Sequence, residues 1–431
     1  MRKISGKDSM KNQIGKEMYE LLEYLFPLNR SISGNGVRET LRIIQNHIPI
    51  KVHEVPSGTE VFDWVVPNEW NVTDAYVIDE TGNKIIDFQE NNLHLVGYSV
   101  PVNKNVTLSE LQKHLYSLPD QPEAVPYVTS YYKERWGFCI SQKQRDNLKE
   151  GKYKVVIDSE LKEGALTYGE LIIPGRSEKE VFLSTYICHP SMANNELSGP
   201  VLTTFLAKWI MSKPRRYTYR IIFIPETIGS IMYLSKNLDH LKRNVISGFN
   251  ITCVGDDGPY SYLPTRNGST YADKVALNTL SFEHPDFVGY SYLDRGSDER
   301  QYNSPGVDLP VCTIMRSKYG RYPEYHTSLD NLDFVSAEGL SGSLDVFKKC
   351  LKTMEENKKY RIKCLGEPQL GKRGLYPTIG TKSSSLEVKD IMNFISYADG
   401  DHDLIDISNQ IGVPVWELYP IIEKLLKADL I

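Results

Sequence analysis

The stretch STYICHPSMANNELSGP, residues 184–200, ends a strand, makes a polar turn and opens a helix. An apolar run, Val181-Phe182-Leu183 and then Tyr186-Ile187, has the composition of a buried strand. It stops at His189-Pro190. The turn carries Asn194, Asn195 and Glu196. Ser198-Gly199 then begins a segment whose apolar positions, Val201, Leu202, Phe205, Leu206, Trp209 and Ile210, recur at helical spacing. A histidine, an amide and a carboxylate are thus gathered on the loop leaving a central strand, the place where open α/β sheets bind their ligands. These residue types hold zinc or move a proton; the alternative is a polar loop closed by a capping serine.

Three further apolar runs end the same way. Tyr219–Ile224 is followed by Pro225-Glu226-Thr227 and a helix-like stretch after Gly229. Phe249–Val254 is followed by Gly255-Asp256-Asp257-Gly258. Leu309–Met315 leads into Arg316 and a loop with Tyr325-His326-Thr327 and Asp330. Taken singly, Glu226 could cap the next helix, Asp256-Asp257-Gly258 could be a turn, and His326 could be a satisfied loop histidine, because caps and turns favour these residues. Taken together, four strands that each end in a ligand or acid/base group point to one site at one edge of a sheet.

In order along the chain, His189, the NNELSG turn (194–199), PETIGS (225–230) and YHTSLD (325–330) resemble the co-catalytic zinc aminopeptidase superfamily. The whole chain more closely resembles a bacterial family of three-domain aminopeptidase-like proteins, with an inserted small domain and a C-terminal winged-helix-like domain. FPLNRSISGNGVRETL (26–41), VPSGTEVFDWVVP (55–67), LPDQPEAVPYVTSYYKERWGFC (118–139), LDRGSDERQY (293–302) and MRSKYGRYPEYHTSLDNL (315–332) carry that likeness. It implies a zinc-aminopeptidase-like mixed α/β sheet flanked by helices, and a hydrolase that cleaves an amide bond of a small peptide or aminoacyl substrate with metal-activated water.

The resemblance also assigns roles, with departures. The superfamily's metal-bridging aspartate falls on Asn195, with Glu196 beside it. Its paired glutamates fall on Glu226 and Thr227, and a third carboxylate ligand on Thr252, with Asp256 a little further on. Amide and hydroxyl groups are poor replacements for anionic ligands, so the resemblance implies one zinc ion rather than two. The expected metal ligands are His189 and His326, with Glu196 or Asp256 as a third; three protein ligands and an open position suffice for catalysis. Glu226 is the expected general base. Asn195, Asp257, Asp298, Glu299, Arg316 and Tyr325 are the expected substrate-binding groups. The run Asp294–Arg300 reads equally as a solvated charged loop.

Composition bounds the rest. The 431 residues allow two or three domains, and 40% hydrophobic with 24% charged residues is ordinary for a globular chain. A net charge of −5 gives no global attraction to nucleic acid or an anionic membrane. The first residues lack the apolar core of about 7–15 residues of a signal peptide, and no apolar run approaches the roughly 20 residues of a membrane span. Six cysteines without CxxC spacing suggest a reduced, cytoplasmic protein. Cys188 beside His189 offers a thiol nucleophile, but alternation along a strand sends neighbours to opposite faces. Tyrosines crowd 120–140 and 260–325, Tyr127, Tyr131, Tyr132 and Tyr325 among them, as cleft lining or as core.

The expected order is an α/β domain from 1–60 and 160–358, interrupted by a small β-rich domain at 61–159. A Gly/Pro/Ser linker follows at 359–384, then a winged-helix-like domain at 385–431. The insertion would cover the mouth of the site. Residues 385–431 hold nine acidic residues and three lysines, so this module reads as a protein-contact or homo-oligomer surface rather than a DNA reader. Two other functions stay open: an amidase or deacylase acting on an amino-sugar, and a non-catalytic binding or regulatory protein on the peptidase fold, which the neutral Asn195, Thr227 and Thr252 favour.

Overall fold

The computed structural model describes residues 6–131, 133–376 and 382–431. Tyr132, and Pro377 and Gly380 of the expected linker, lie outside the described residues.

The helices used below are α1 (Gly6–Leu25), α2 (Asn35–Gln45), α3 (Ser198–Met211), α4 (Ile228–Asn244), α5 (Tyr271–Glu283), α6 (Ala337–Glu356), α7 (Lys382–Tyr397), α8 (Leu404–Ile411) and α9 (Val415–Lys427). An eight-stranded sheet forms the centre. Its strands are β1 (Lys51–Pro56), β6 (Ala165–Ile173), β7 (Ser177–Tyr186), β8 (Tyr217–Ile224), β9 (Val245–Asn250), β10 (Ser261–Leu263), β11 (Val288–Gly289) and β12 (Val311–Met315). The spatial order is β1-β6-β8-β7-β9-β12-β10-β11. The four middle strands, β8, β7, β9 and β12, run parallel. They are the four runs whose ends carry chemistry, so their C-terminal loops all emerge on one edge of the sheet. Sheets covered on both faces have nearly continuous apolar strands; β12 is buried at every position and β8 at all but one. β6 and β1 add antiparallel strands on one side.

Between β1 and β6 the chain builds a second, antiparallel sheet from β2 (Glu69–Ile78), β3 (Lys84–Asp87), β4 (Val102–Thr107) and β5 (Lys152–Lys162), in the order β3-β2-β5-β4. The insertion leaves from the sheet edge at β1. Its buried residues, such as Val77, Phe138 and Val155, share one apolar cluster with Phe182, Ile222 and Met232 on one face of the main sheet.

Helices α1, α2, α3, α5 and α6 cover the other face. One glycine here is required sterically. A Cβ at Gly199 would lie 2.4 Å from the Ile251 carbonyl oxygen, so α3 can seat against the end of β9 only without a side chain there. The C-terminal module continues this core: Phe394, Leu404, Leu418 and Leu425 belong to the same cluster as Leu202 and Phe347. Lys274 of α5 is paired with Asp403 and Asp406, both at 2.7 Å, and Asn278 donates to Ser408 Oγ at 3.0 Å. The stretch expected to be only linker includes a strand, β13 (Lys359–Arg361), which pairs antiparallel with β14 (Asp399–Asp403). Lys359-Tyr360-Arg361, preceded by Lys358, gave no run of apolar residues to signal it. Among the described residues no helix is long and apolar enough to cross a membrane.

Candidate functional site

Beyond β7 the chain is no longer pleated. His189 follows three residues after the strand, and Ala193–Leu197 forms one wide helical turn leading into α3. Asp330 holds that turn: its carboxylate accepts the backbone N–H groups of Asn194 (2.6 Å) and Asn195 (2.9 Å). These are N–H groups that a helix start leaves unpaired. Burial pushes the Asp330 carboxyl up to about 6, against those two bonds.

Glu196 stands behind His189. Its Oε2 lies 2.8 Å from His189 Nδ1, and its Oε1 lies 3.4 Å from Nε of Arg30, both charged side chains being wholly buried. Arg30 also donates to the His189 carbonyl (3.0 Å) and the Leu25 carbonyl (2.8 Å). The imidazole is therefore fixed through one nitrogen, and Nε2 faces the other way, 3.7 Å from Glu226 Oε2. Burial works against a charge on His189, but the Cys188 sulfur and the Glu196 carboxylate beside it outweigh that and raise its pKa.

Glu226 keeps one fifth of its side chain exposed. Ser297 Oγ donates to its Oε1 at 2.7 Å. Burial raises its pKa, opposed by His189. Asp298 stands behind it. Asp298 Oδ1 accepts Thr227 N–H (2.8 Å) and Ser230 Oγ (2.7 Å), while Oδ2 is buried without a partner. Burial, then the nearby Glu226 charge, pushes the Asp298 carboxyl up to about 7. His326 completes the group, its ring 5.4 Å from that of His189. Burial, with His189 adjacent, lowers His326 to about 3, so it is neutral. Tyr325 stacks on His326 at 3.9 Å. Thr227 (φ 64°), Cys253 (φ 51°) and His326 (φ 56°) all occupy left-handed backbone, which a side chain disfavours and which concentrates at functional sites.

A cleft of about 360 Å³ opens between the main sheet and the insertion, lined by Tyr127, Tyr131, Cys188, His189, Glu226, Thr227, Arg300 and His326. Tyr127 touches both histidine rings, at 5.3 and 5.2 Å. Its segment is tied to the β12 loop: Tyr127 N–H donates to the His326 carbonyl (2.8 Å), Ser328 N–H to the Val125 carbonyl (2.8 Å), and Gln121 Nε2 to the Pro323 carbonyl (3.0 Å).

The structure brings His189, Glu196, Glu226, His326 and Tyr325 together, with Asn195 adjacent. It does not bring in the others. Asp256 is occupied by Asn194 Nδ2 (2.8 Å), Ser317 Oγ (2.7 Å) and Gly258 N–H (2.7 Å) and is not a free third ligand. Asp257 is exposed and accepts Ser336 Oγ at 2.7 Å. Glu299 is buried and accepts Gly296 and Ser297 N–H, Tyr319 Oη and Asn250 Nδ2, so no substrate reaches it. Asp298 is buried too. Arg316 stacks on Tyr260 and donates to the Gly258 carbonyl, outside the cleft lining. In each case the acidic or basic side chain shapes a loop instead of facing the cleft.

Asn195 is held in a neutral setting. Its Nδ2 donates to Tyr186 Oη (2.9 Å), Tyr186 Oη donates to Thr252 Oγ1 (2.6 Å), and Thr252 Oγ1 donates to the Asn195 carbonyl (3.1 Å). Asn195, Tyr186 and Thr252 thus form a neutral chain of hydrogen bonds, with Asn195 Oδ1 buried and unpartnered. Cys188 Sγ, His189 Nδ1 and a Glu196 oxygen do lie within 4.8 Å of one another. There, however, Arg30 already supplies the positive charge, and burial pushes the thiol up to about 11. Cys188 does approach His189, at 3.5 Å, contrary to the alternation argument, because the strand has ended at Tyr186. Its protonated thiol is nonetheless a poor nucleophile at neutral pH. The sequence does not place Arg30 at the site; it offers Tyr127 only as cleft lining or core, and Asp330 as part of the His326 loop. Arg30 and Tyr127 lie in the FPLNRS and PEAVPYVTS stretches, whose distance in sequence hides their destination.

Sheet order, site edge and helix placement define an aminopeptidase-like fold. A zinc aminopeptidase from Bacillus subtilis has the same fold at 13% identity, with a TM-score of 0.56 over 79% of this chain and 95% of that one. Residues 19–357 match the family described as a domain of unknown function, DUF4910, and residues 358–431 match a winged helix-turn-helix. The chain is 46% identical, over 435 residues, to a candidate polysaccharide biosynthesis protein with an aminopeptidase-like domain from Clostridium acetobutylicum, covering 100% of this chain and 99% of that protein. The crystal structure of a candidate peptidase from Clostridium acetobutylicum superposes with a TM-score of 0.92 at 45% identity, over 97% and 96% of the two chains. The chain belongs to the DUF4910 family of aminopeptidase-like proteins with a C-terminal winged helix.

Proposed function

We propose that this protein is an aminopeptidase-type hydrolase that cleaves an amide bond in a small substrate at a site for a single zinc ion. One observation carries the reading: Glu196 holds His189 by Nδ1, so that Nε2 faces the cleft beside Glu226 and the neutral ring of His326. A carboxylate on the rear nitrogen is the arrangement that orients metal-binding histidines. His189 Nε2 and His326 would hold one ion, with Glu226 beside them; Glu196, turned onto His189 Nδ1, orients that ligand and is not itself the third one. The donors do not fit two, because Asn195 and Thr252 carry no charge and Glu226 is the carboxylate in the cleft lining. Bound zinc supplies a water with a pKa of about 7 and a Lewis acid for the carbonyl.

The chain's own groups do the rest. Glu226, partly exposed and with a raised pKa, takes a proton from water at its free oxygen while Ser297 steadies the other. Tyr127 and Tyr131 roof the cleft and limit the length of substrate that enters. A second reading concerns the substrate. Arg300, bonded to Thr227 Oγ1, is the charged side chain in the cleft lining besides Glu226 and the histidines. None of the carboxylates expected to bind a free α-amine lines the cleft. This favours an acylated, anionic or sugar-borne amide, in keeping with the polysaccharide name of the Clostridium acetobutylicum relative.

Elemental analysis of protein purified without chelator or His tag tests the reading, together with hydrolysis of aminoacyl and N-acyl amides. About one zinc per chain is expected, lost in His189→Ala and His326→Ala. Glu226→Gln should keep the metal and lose turnover by about 10²-fold or more. Wild-type protein that binds no metal even with added zinc would overturn it in favour of a non-catalytic role.

A further inference from the structure

At the opposite end of the main sheet, where β7 and β8 begin and α3 and α6 end, lies a second pocket of about 580 Å³. Six cationic side chains line it: Arg176, Lys213, Arg215, Arg216, Lys352 and Lys358. Two carboxylates, Glu355 and Glu356, face them. Glu355 is already occupied, accepting the backbone N–H groups of Arg216 and Tyr217 and the hydroxyl of Tyr219. Among the described residues none of the six cations forms an ion pair. Arg216 reaches only the Asn357 carbonyl (3.3 Å) and the Tyr217 ring, Arg215 only the Ile210 carbonyl (3.4 Å), and Lys352 the Tyr419 ring. Arg215 Nε is buried with no partner at all.

Cations near helix C-termini are in part ordinary, since each helix end carries about half a negative charge. Two such ends offset about one of the excess charges here. Several positive charges remain in one concavity, on a chain whose net charge is −5. Like charges repel, so gathering them without counter-ions costs stability unless an anion joins them. Arginines suit phosphate, which they bind through paired N–H groups. The volume is that of a small-molecule site, about 300–1,000 Å³. The half-buried indole of Trp209 forms part of the wall and makes no ring contact among the described residues, leaving a face for a planar group.

We propose that this pocket binds a small ligand carrying a diphosphate group and a planar ring, of the nucleoside diphosphate class, apart from the histidine cleft. The ligand's phosphates lie among Arg176, Lys213, Arg215 and Arg216, and its ring against Trp209.

Isothermal titration calorimetry of the full chain with uridine and adenosine diphosphates, at about 0.15 M ionic strength, tests this. At least one diphosphate should bind and the matching nucleoside should not. Arg176→Glu/Lys213→Glu, which changes two exposed residues, should weaken binding by at least about tenfold at unchanged thermal stability. Trp209→Ala should weaken the diphosphate but not inorganic pyrophosphate. No diphosphate binding at about 1 mM, binding unaltered in the double variant, or binding of duplex DNA alone would each overturn the proposal. Zinc content and amide hydrolysis do not enter this readout, so it stands or falls separately from the cleft.

Discussion

His189 and Glu196 act as a pair because Arg30 is buried with them. Three groups that would each be costly alone share their charges in a volume that excludes water. Removing one partner of such a set leaves another uncompensated, which typically costs about 3–5 kcal/mol. Glu196→Gln should therefore lower the unfolding free energy by about that amount in a denaturant titration, and Arg30→Met in the same chain should recover part of it. A loss below about 1 kcal/mol would show that the pair is dispensable. Asp298 gives a pH signature. The folded state holds its proton up to about pH 7, whereas the unfolded chain releases it near pH 4. The contribution to stability is thus full below about pH 4 and is lost as pH rises towards 7. Asp298→Asn should flatten the stability profile across that window; an unchanged slope would place the proton elsewhere.

The decisive elements are the loops, with the strands as their support. Four parallel strands deliver their C-terminal loops to one edge, and the insertion returns from the far side of the sheet to lay residues 121–131 over them. The roof is bonded through backbone groups to the loop bearing His326, so moving one moves the other. Tyr127 is the residue of this roof that meets both histidines. Tyr127→Ala should widen the cleft, raising activity on longer substrates relative to short ones, while the backbone bonds keep the loop in place. A fall in activity on all substrates alike would mean that the ring positions the histidines instead of limiting size.

For the molecule as a whole, the apolar clusters matter more than the domain count. The winged helix does not hang on a tether; its core is continuous with that of the α/β body through α5 and α6. Phe394→Ala, at a fully buried position in α7, should cost about 3–5 kcal/mol. It should lower one cooperative thermal transition of the full chain, read by calorimetry. A separate early transition for the last 74 residues matched as winged helix would show the module to be energetically independent.

Much of this is local chemistry, and local chemistry is legible in a sequence. The buried strand runs, the helix after Ser198, the turn at 194–197, and His189, Glu226 and His326 at strand ends all follow from periodicity and residue type. That Asn195 and Thr252 are neutral at positions where related proteins carry anions is what the family resemblance implies. The direction in which a side chain points after its strand ends is a different matter. Asp256, Asp257 and Arg316 follow apolar runs as Glu226 does, and Glu299 lies in a charged run, yet hydrogen bonds with Asn194, Ser317, Ser336, Gly258, Asn250 and Tyr319 make them loop supports. Arg30 reaches Glu196, and Tyr127 reaches both histidines, across separations that no periodicity records. The sequence alone determined which groups were available and the strands at whose ends they stand. Only the tertiary structure decided which groups meet, because a buried charge stays where other parts of the chain supply its partners.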